Sequence, residues 1–213
     1  MKTKSPFLTF QYLLDSDLCD KIAKTVRVQP LFNEEGFPQS NERYYEPIET
    51  DIFSKIQPLI PEIETHYNIK YRGTEHLLFQ QFPVTGKLAE PPHCENAVFK
   101  RKKWIKVKDR DLTAIIWLKD YQETPPFDQK TQVLGGKLEF PVYNFGLQPQ
   151  KGTMVVYPAN ERFISLTSSV LVGELQCIRI HIAGGTGEDG QGVWLYQPNN
   201  FPGDFRTWFA DVV

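Results

Sequence analysis

The sequence predicts an α+β chain in which two helical segments lead into a β sandwich or barrel. Two observations carry this. Apolar residues recur at helical spacing only in the first third, and from Glu75 onward short apolar or alternating runs are separated by turn chemistry. The 16 prolines among 213 residues fit many short elements and argue against a helical bundle. A run of strands behind helices places the chain in the α+β class.

The first helix is predicted from Asp15 or Ser16 as N-cap, with Leu18, Ile22 and Val26 four apart on one face. A second periodic stretch holds Phe53, Ile56, Leu59, Ile60, Ile63 and Tyr67, and Pro58 and Pro61 lie inside it. A proline costs ~3 kcal/mol in a helix interior, so a kink or two short pieces is expected there. Residues 31–48, with Gly36, Pro38, Asn41 and Pro47, read as a long loop. The expected strands are His76–Phe82, Ala97–Val107, Leu112–Leu118, Lys137–Phe140, Thr153–Tyr157, Phe163–Val170, Glu174–Ile182 and Val193–Tyr196. Turn residues separate them at Pro83–Gly86, Lys108–Asp111, Pro125-Pro126, Gly135-Gly136, Lys151-Gly152 and Val172-Gly173. With no internal repeat or long linker, a single domain over 1–213 is expected: a helical part (1–72), a strand-rich core (73–183), and a loop with an aromatic tail (184–213).

A hydrophobic share of 40%, with 13% aromatic, is enough for a packed core. A net charge of −2 and a pI of about 6.1 make no global case for nucleic acid or a membrane as partner. Met1-Lys-Thr-Lys-Ser5 is not followed by an apolar run, so no signal peptide is expected, and no stretch has the length of a membrane span. Cys19, Cys94 and Cys177 are odd in number and far apart, which fits a reducing compartment and hence a cytoplasmic location.

His93-Cys94-Glu95, followed some forty residues later by Gly135-Gly136-Lys137-Leu138-Glu139-Phe140-Pro141, carries the chemistry. An imidazole and a carboxylate two residues apart on a strand share one face. Together they supply two corners of a facial triad for non-haem iron. Around them stand Phe79–Gly86, Asp111–Asp120 and Pro149–Pro158. In this order and spacing the segments resemble the double-stranded β-helix, or jelly roll, of the iron(II)/2-oxoglutarate dioxygenases, in the prolyl 4-hydroxylase-like branch. The resemblance runs from Phe79 to Ile182.

That resemblance implies His93 and Glu95 as metal positions. It also implies a third ligand, a histidine eight residues before the glycine of a Val-x-x-Gly turn, and a Lys or Arg two residues after that glycine for the far carboxylate of 2-oxoglutarate. Here the turn is Val170-Leu-Val-Gly173, so the two positions carry Ser165 and Leu175. A serine hydroxyl stays protonated near neutral pH and ligates iron poorly, and a leucine cannot neutralise a carboxylate. Arg179 and His181 share strand parity with Leu175 and Cys177, which leaves Arg179 as the remaining 2-oxoglutarate candidate. The expected function is that of a degenerate dioxygenase-fold protein without cofactor, in a structural or protein-interaction role with protein partners or self-assembly. By analogy with compact tailed-phage proteins of this type, a virion neck, tail or baseplate component is the particular form considered. The alternative is an active Fe(II)/2-oxoglutarate hydroxylase with His93 and Glu95 as ligands and Arg179 on the cosubstrate.

Other features have plainer readings. Lys100-Arg-Lys-Lys103, with Trp104, Lys106, Lys108 and Arg110, is the densest basic stretch. It reads as a hairpin or edge strand guarded by lysines, or as a protein-docking surface, ahead of a nucleic-acid contact. Gly185-Thr-Gly-Glu-Asp-Gly190 spells a dinucleotide fingerprint, but a strand and not a helix is expected after it, so it reads as a surface loop. The aromatic C-terminus, Trp194 to Phe209, reads as a tail packed on its own barrel or on a neighbour. Cys94 reads as a structural thiol, and Tyr44-Tyr45 carries no functional reading.

Overall fold

The computed structural model describes residues 5–26, 31–32, 38–39 and 46–184. In chain order the elements begin β1 (Leu8–Phe10), α1 (Ser16–Thr25), β2 (Leu31–Phe32), β3 (Pro38–Gln39), α2 (Glu46–Ile56), α3 (Ile60–Tyr67) and β4 (Tyr71–Thr74). There follow β5 (Leu78–Pro83), β6 (Glu90–His93), β7 (Ala97–Lys100), β8 (Lys103–Lys106), β9 (Leu112–Trp117) and β10 (Asp120–Tyr121). The series closes with β11 (Gln132–Gly135), β12 (Leu138–Phe140), β13 (Phe145–Leu147), β14 (Met154–Pro158), β15 (Ser165–Thr167) and β16 (Val170–Gly184).

The helices follow their local chemistry. The Asp15 side chain accepts the Leu18 N–H at 2.8 Å, satisfying one orphan donor of the α1 start. The proline-bearing stretch divides as expected. Pro58 and Pro61 each fall in the first positions of a new element, the 3₁₀ turn Gln57–Leu59 and then α3, where a missing N–H costs nothing. The expected loop over 31–48 is too long at its end, because α2 already begins at Glu46. Pro47 is its second residue, and prolines are tolerated there for the same reason.

Two sheets make the jelly roll. The larger has eight strands, with the path β1-β14-β9-β16-β11-β10 and with β4 and β5 also paired to β16. The smaller has four strands, ordered β13-β12-β15-β6. Strand β16 is the spine. It pairs with β9 over Cys177–Ile182, and with β11, β5 and β4 in turn along its length. The large sheet is buried on both faces, and its central strands divide their residues between two interiors by alternation. Leu112, Ala114 and Ile116 on β9, Met154 and Val156 on β14, and Ile178, Ile180 and Ile182 on β16 pack toward Ile22, Ile52, Phe53 and Ile63 of the helices. Their neighbours Ile115, Trp117, Val155, Leu175 and Cys177, together with Tyr157, face the other way into a second core with Phe82, Leu138 and Phe140, between the sheets.

Three strand expectations need correction. Ala97–Val107 is not one strand but the hairpin β7–β8, a two-stranded ribbon that among the described residues pairs with neither sheet. Its turn residues Arg101 and Lys102 both have left-handed backbones, at φ 50° and 63°. A turn of this kind normally takes Asn-Gly, so the sequence carries no hairpin signal there. Phe163–Val170 divides into a 3₁₀ turn, the short β15, and the start of β16. β1, β2, β3, β4, β6, β10, β11 and β13 were not expected; β2 and β3 pair within the stretch read as a loop, and β1 comes from the helical N-terminal part yet pairs with β14 as an edge of the large sheet. Val193–Tyr196, the Gly185–Gly190 loop, the aromatic tail and Tyr44-Tyr45 lie outside the described residues.

Candidate functional site

His93 and Glu95 meet, but not by strand parity. Strand β6 ends at His93 and the chain bends through Cys94–Asn96. The bend brings the Glu95 carboxylate to 3.1 Å from His93 Nε2, while His93 Nδ1–H donates to the Pro91 carbonyl at 2.8 Å. Across the sheet, Ser165 pairs with His93 and Thr167 with Glu90, so three steps on β6 oppose two on β15. This bulge puts Glu90 and His93 on one face, which a regular strand would deny them. Pro91 and Pro92 sit inside it, where missing N–H groups are tolerated.

From the opposite wall β16 sends Arg179 and His181 into the same space, as parity predicted. The Arg179 guanidinium lies between the two carboxylates. Nη1 is 2.9 Å from Glu95 and 3.4 Å from His93 Nε2, and Nη2 donates to Glu90. Glu90 also accepts from Gln80 at 3.0 Å and from Thr167 at 2.7 Å. His181 Nε2 stands 3.8 Å from the other oxygen of Glu95, which also faces Arg110 at 3.9 Å. Arg110 in turn pairs with Glu75. Sequence reading missed Glu90 and Glu75. Neither has a spacing signal, since one depends on the bulge and the other on a contact between distant loops.

The charges in this cluster are mutually dependent. Burial pushes the Glu95 carboxyl up, but the Arg179 guanidinium, with the hydrogen bond and charge of His93, outweighs it and holds it well below the ordinary carboxylate range. Glu90 is lowered for a similar reason, with burial again opposing and Arg179 prevailing. For His93 burial works against the proton, but the hydrogen bond and charge of Glu95 push its value up to about 8. His181, fully enclosed, is driven well below its ordinary value by burial and stays neutral. Two carboxylates thus face two cations, Arg179 and the His93 imidazolium, and the set is balanced without further charge.

The donor set does not fit a ferrous ion. Ser165 occupies the expected third-ligand position directly opposite His93, and its Oγ is buried with no hydrogen-bond partner among the described residues. Leu175 lies in the inter-sheet core, where its side chain closes against Gly136, and supplies no charge for a carboxylate. Arg179, the remaining cosubstrate candidate, has its two Nη groups engaged by Glu95 and Glu90. Among the described residues no group of three or more His, Cys, Asp or Glu side chains is placed to hold a metal.

Cys94 is half-buried, its thiol directed at the Ala159 carbonyl, and burial raises its pKa. Cys177 lines the interior and burial pushes it up to about 12. Neither has the thiolate character of a nucleophile. No helix among the described residues is long and apolar enough to cross a membrane.

Solved structures of similar shape are prolyl hydroxylases. The viral collagen prolyl hydroxylase of Paramecium bursaria Chlorella virus-1, solved with 2-oxoglutarate, superposes with a TM-score of 0.60 at 16% identity, over 85% of this chain and 97% of that one. A Pseudomonas putida prolyl-4-hydroxylase gives 0.55 at 16%, over 84% and 92% of the two chains. A Trichoplax adhaerens prolyl hydroxylase, solved with a hypoxia-inducible factor peptide, gives 0.55 at 11%, over 84% and 83%. No protein-family model matches the chain. No curated protein sequence matches it either. The fold is therefore the double-stranded β-helix of prolyl 4-hydroxylase-type Fe(II)/2-oxoglutarate dioxygenases. At these identities the likeness defines the scaffold, and the chemistry rests on the side chains described above.

Proposed function

We propose that this chain is a non-catalytic protein on a dioxygenase scaffold, with a structural or protein-interaction role and no iron or 2-oxoglutarate. The observation that carries the reading is the Arg179 guanidinium bridging Glu95 and Glu90 while approaching His93 Nε2. A protein cation thereby neutralises the carboxylate that would otherwise serve a metal. Ser165 and Leu175, in place of the ligand and the cosubstrate anchor, support the same reading.

The test is anaerobic titration with Fe(II) and with Mn(II), followed by calorimetry, alongside a 2-oxoglutarate decarboxylation assay. The expected outcome is no saturable binding and no turnover above the protein-free rate, with His93→Ala indistinguishable from the parent in both. Stoichiometric iron that disappears in His93→Ala would overturn the proposal. Iron binding together with 2-oxoglutarate consumption would establish the hydroxylase in its place.

A further inference from the structure

The β7–β8 ribbon is the feature least explained by the fold. Among the described residues it pairs with neither sheet, and two strands alone are marginally stable in water. Cross-strand pairing puts Ala97, Phe99, Trp104 and Lys106 on one face. Phe99 there is 60% exposed and Trp104 37%, with their rings 5.3 Å apart. Lysines guard a strand edge against pairing, but they do not account for exposed rings on a face. Residues 97–108 also hold Lys100, Arg101, Lys102, Lys103, Lys106 and Lys108 and no acid. A partner that complements the ribbon is therefore aromatic or apolar and carries negative charge.

The described chain leaves the body at the root of this same face. Gly184, the last residue of β16, donates its N–H to Asp111 Oδ2 at 2.8 Å. The other oxygen of Asp111 is 3.6 Å from Lys106 Nζ. One carboxylate thus joins the end of β16 to the face that bears Phe99 and Trp104. The sequence that continues from Gly184 has the complementary composition. Residues 185–213 hold Trp194, Tyr196, Phe201, Phe205, Trp208 and Phe209, with Glu188, Asp189, Asp204 and Asp211 against Arg206 alone. From Lys106 to Trp104 is about 7 Å along the strand. The stretch from Gly184 to Trp194 spans about 33 Å when extended, so Trp194 reaches the rings with chain to spare. A tether of this length holds the local concentration near the millimolar range, and a weak contact is then enough.

The other exposed aromatic edge does not compete for this segment. At β13 the rings of Tyr143 and Phe145 already pack on Phe7 and Phe163, and Glu139 and Glu161 are matched there by Lys137 and Arg162. We infer that the segment after Gly184 turns back along the ribbon of its own chain. Trp194 and Tyr196, two residues apart and so on one side of an extended segment, cover Phe99 and Trp104, and Glu188-Asp189 lies among the lysines. The ribbon gains the third layer that two strands lack. A protein partner would reach the rings only by displacing this tail. The contact stands whether or not the ion cluster between the sheets binds metal.

Hydrogen exchange read by mass spectrometry on the full chain tests this, with each variant read in the segment it does not alter. In the parent, the ribbon amides 98–105 and the tail amides 193–197 are expected to exchange about tenfold or more slowly than an unstructured chain. Trp194→Ser/Tyr196→Ser should speed exchange of the ribbon amides about fivefold and leave β9 and β14 unchanged. Phe99→Ser/Trp104→Ser should speed exchange of the tail amides by a similar factor. Both variants should keep the parent's circular dichroism, and the protection should not vary with protein concentration. Tail amides that exchange like an unstructured chain in the parent would overturn the inference. So would ribbon amides that do not respond to Trp194→Ser/Tyr196→Ser. Protection that appears only as the protein dimerises would replace it with an exchange of tails between two copies. Ribbon amides that become protected only when a single-stranded oligonucleotide is added would overturn it and assign the ribbon to nucleic acid.

Discussion

The two faces of β16 are equally buried and chemically opposite. Toward the helices it presents Ile178, Ile180 and Ile182. Toward the interior it presents Cys177, Arg179 and His181, and Arg179 there holds two carboxylates. The apolar face asks only for shape and volume, and many sequences meet that demand. The ionic face is all-or-none, since each charge is tolerable only while its partners are in place. The apolar face can therefore hold the jelly roll together whatever chemistry the interior face carries. On the interior face Arg179 supplies the charge that balances Glu90 and Glu95.

The largest expected effect breaks the ionic face. Arg179→Met leaves Glu90 and Glu95 buried without their main partner, and chemical denaturation should show a loss of about 3–5 kcal/mol. If the loss comes from stranded charge and not lost packing, adding Glu90→Gln and Glu95→Gln to Arg179→Met should recover most of it. A triple variant as unstable as the single one would mean that shape governs this face too, and the contrast would fail.

Next comes the pH dependence of the same face. His93 has a folded value of about 8 against an ordinary 6.5, so the folded state binds its proton more tightly. Its contribution is fully present below pH 6.5 and disappears as the pH rises through about 8, a loss of about 2 kcal/mol at most. Glu95 and Glu90 have the opposite sign. Their folded values are depressed, so their contribution is present above the ordinary 4.5 and is lost as the pH falls through those lowered values. His181, depressed well below its ordinary 6.5, adds a loss that grows as the pH falls below 6.5, so stability should be greatest near pH 6.5. In His93→Gln the alkaline decline should be absent, while the acid limb remains.

The same contrast marks what the sequence could reveal. The apolar faces of β9, β14 and β16 were legible because period-2 patterning survives wherever pairing is regular, and parity alone put Arg179 and His181 on the inner side. The helix division at Pro58 and Pro61 was legible because proline chemistry is local. The ionic face was only half legible. The closeness of His93 and Glu95 was expected from a family pattern, yet a bend and not a strand produces it. Glu90 joins them through a bulge, and bulges carry no period. The ribbon turn at Arg101-Lys102 was hidden because neither residue favours the left-handed backbone it adopts. Arg179's engagement with Glu90 and Glu95 was hidden because contacts between distant segments have no spacing at all.

The smallest effect tests whether the two faces are separable. Ile180 is next to Arg179 in sequence but lies on the other side of the sheet, packed toward the helices. Ile180→Val removes one methyl group and should cost about 0.5–1.5 kcal/mol, with no change in the pH at which the His93 contribution fades. Combined with His93→Gln, the two losses should add to within about 0.5 kcal/mol, because the residues share no partner. A coupling well above that figure, or a shifted alkaline limb in Ile180→Val, would show that packing against the helices sets the position of the Arg179 guanidinium. The helix layer would then be a determinant of the site's electrostatics and not merely of the fold's stability.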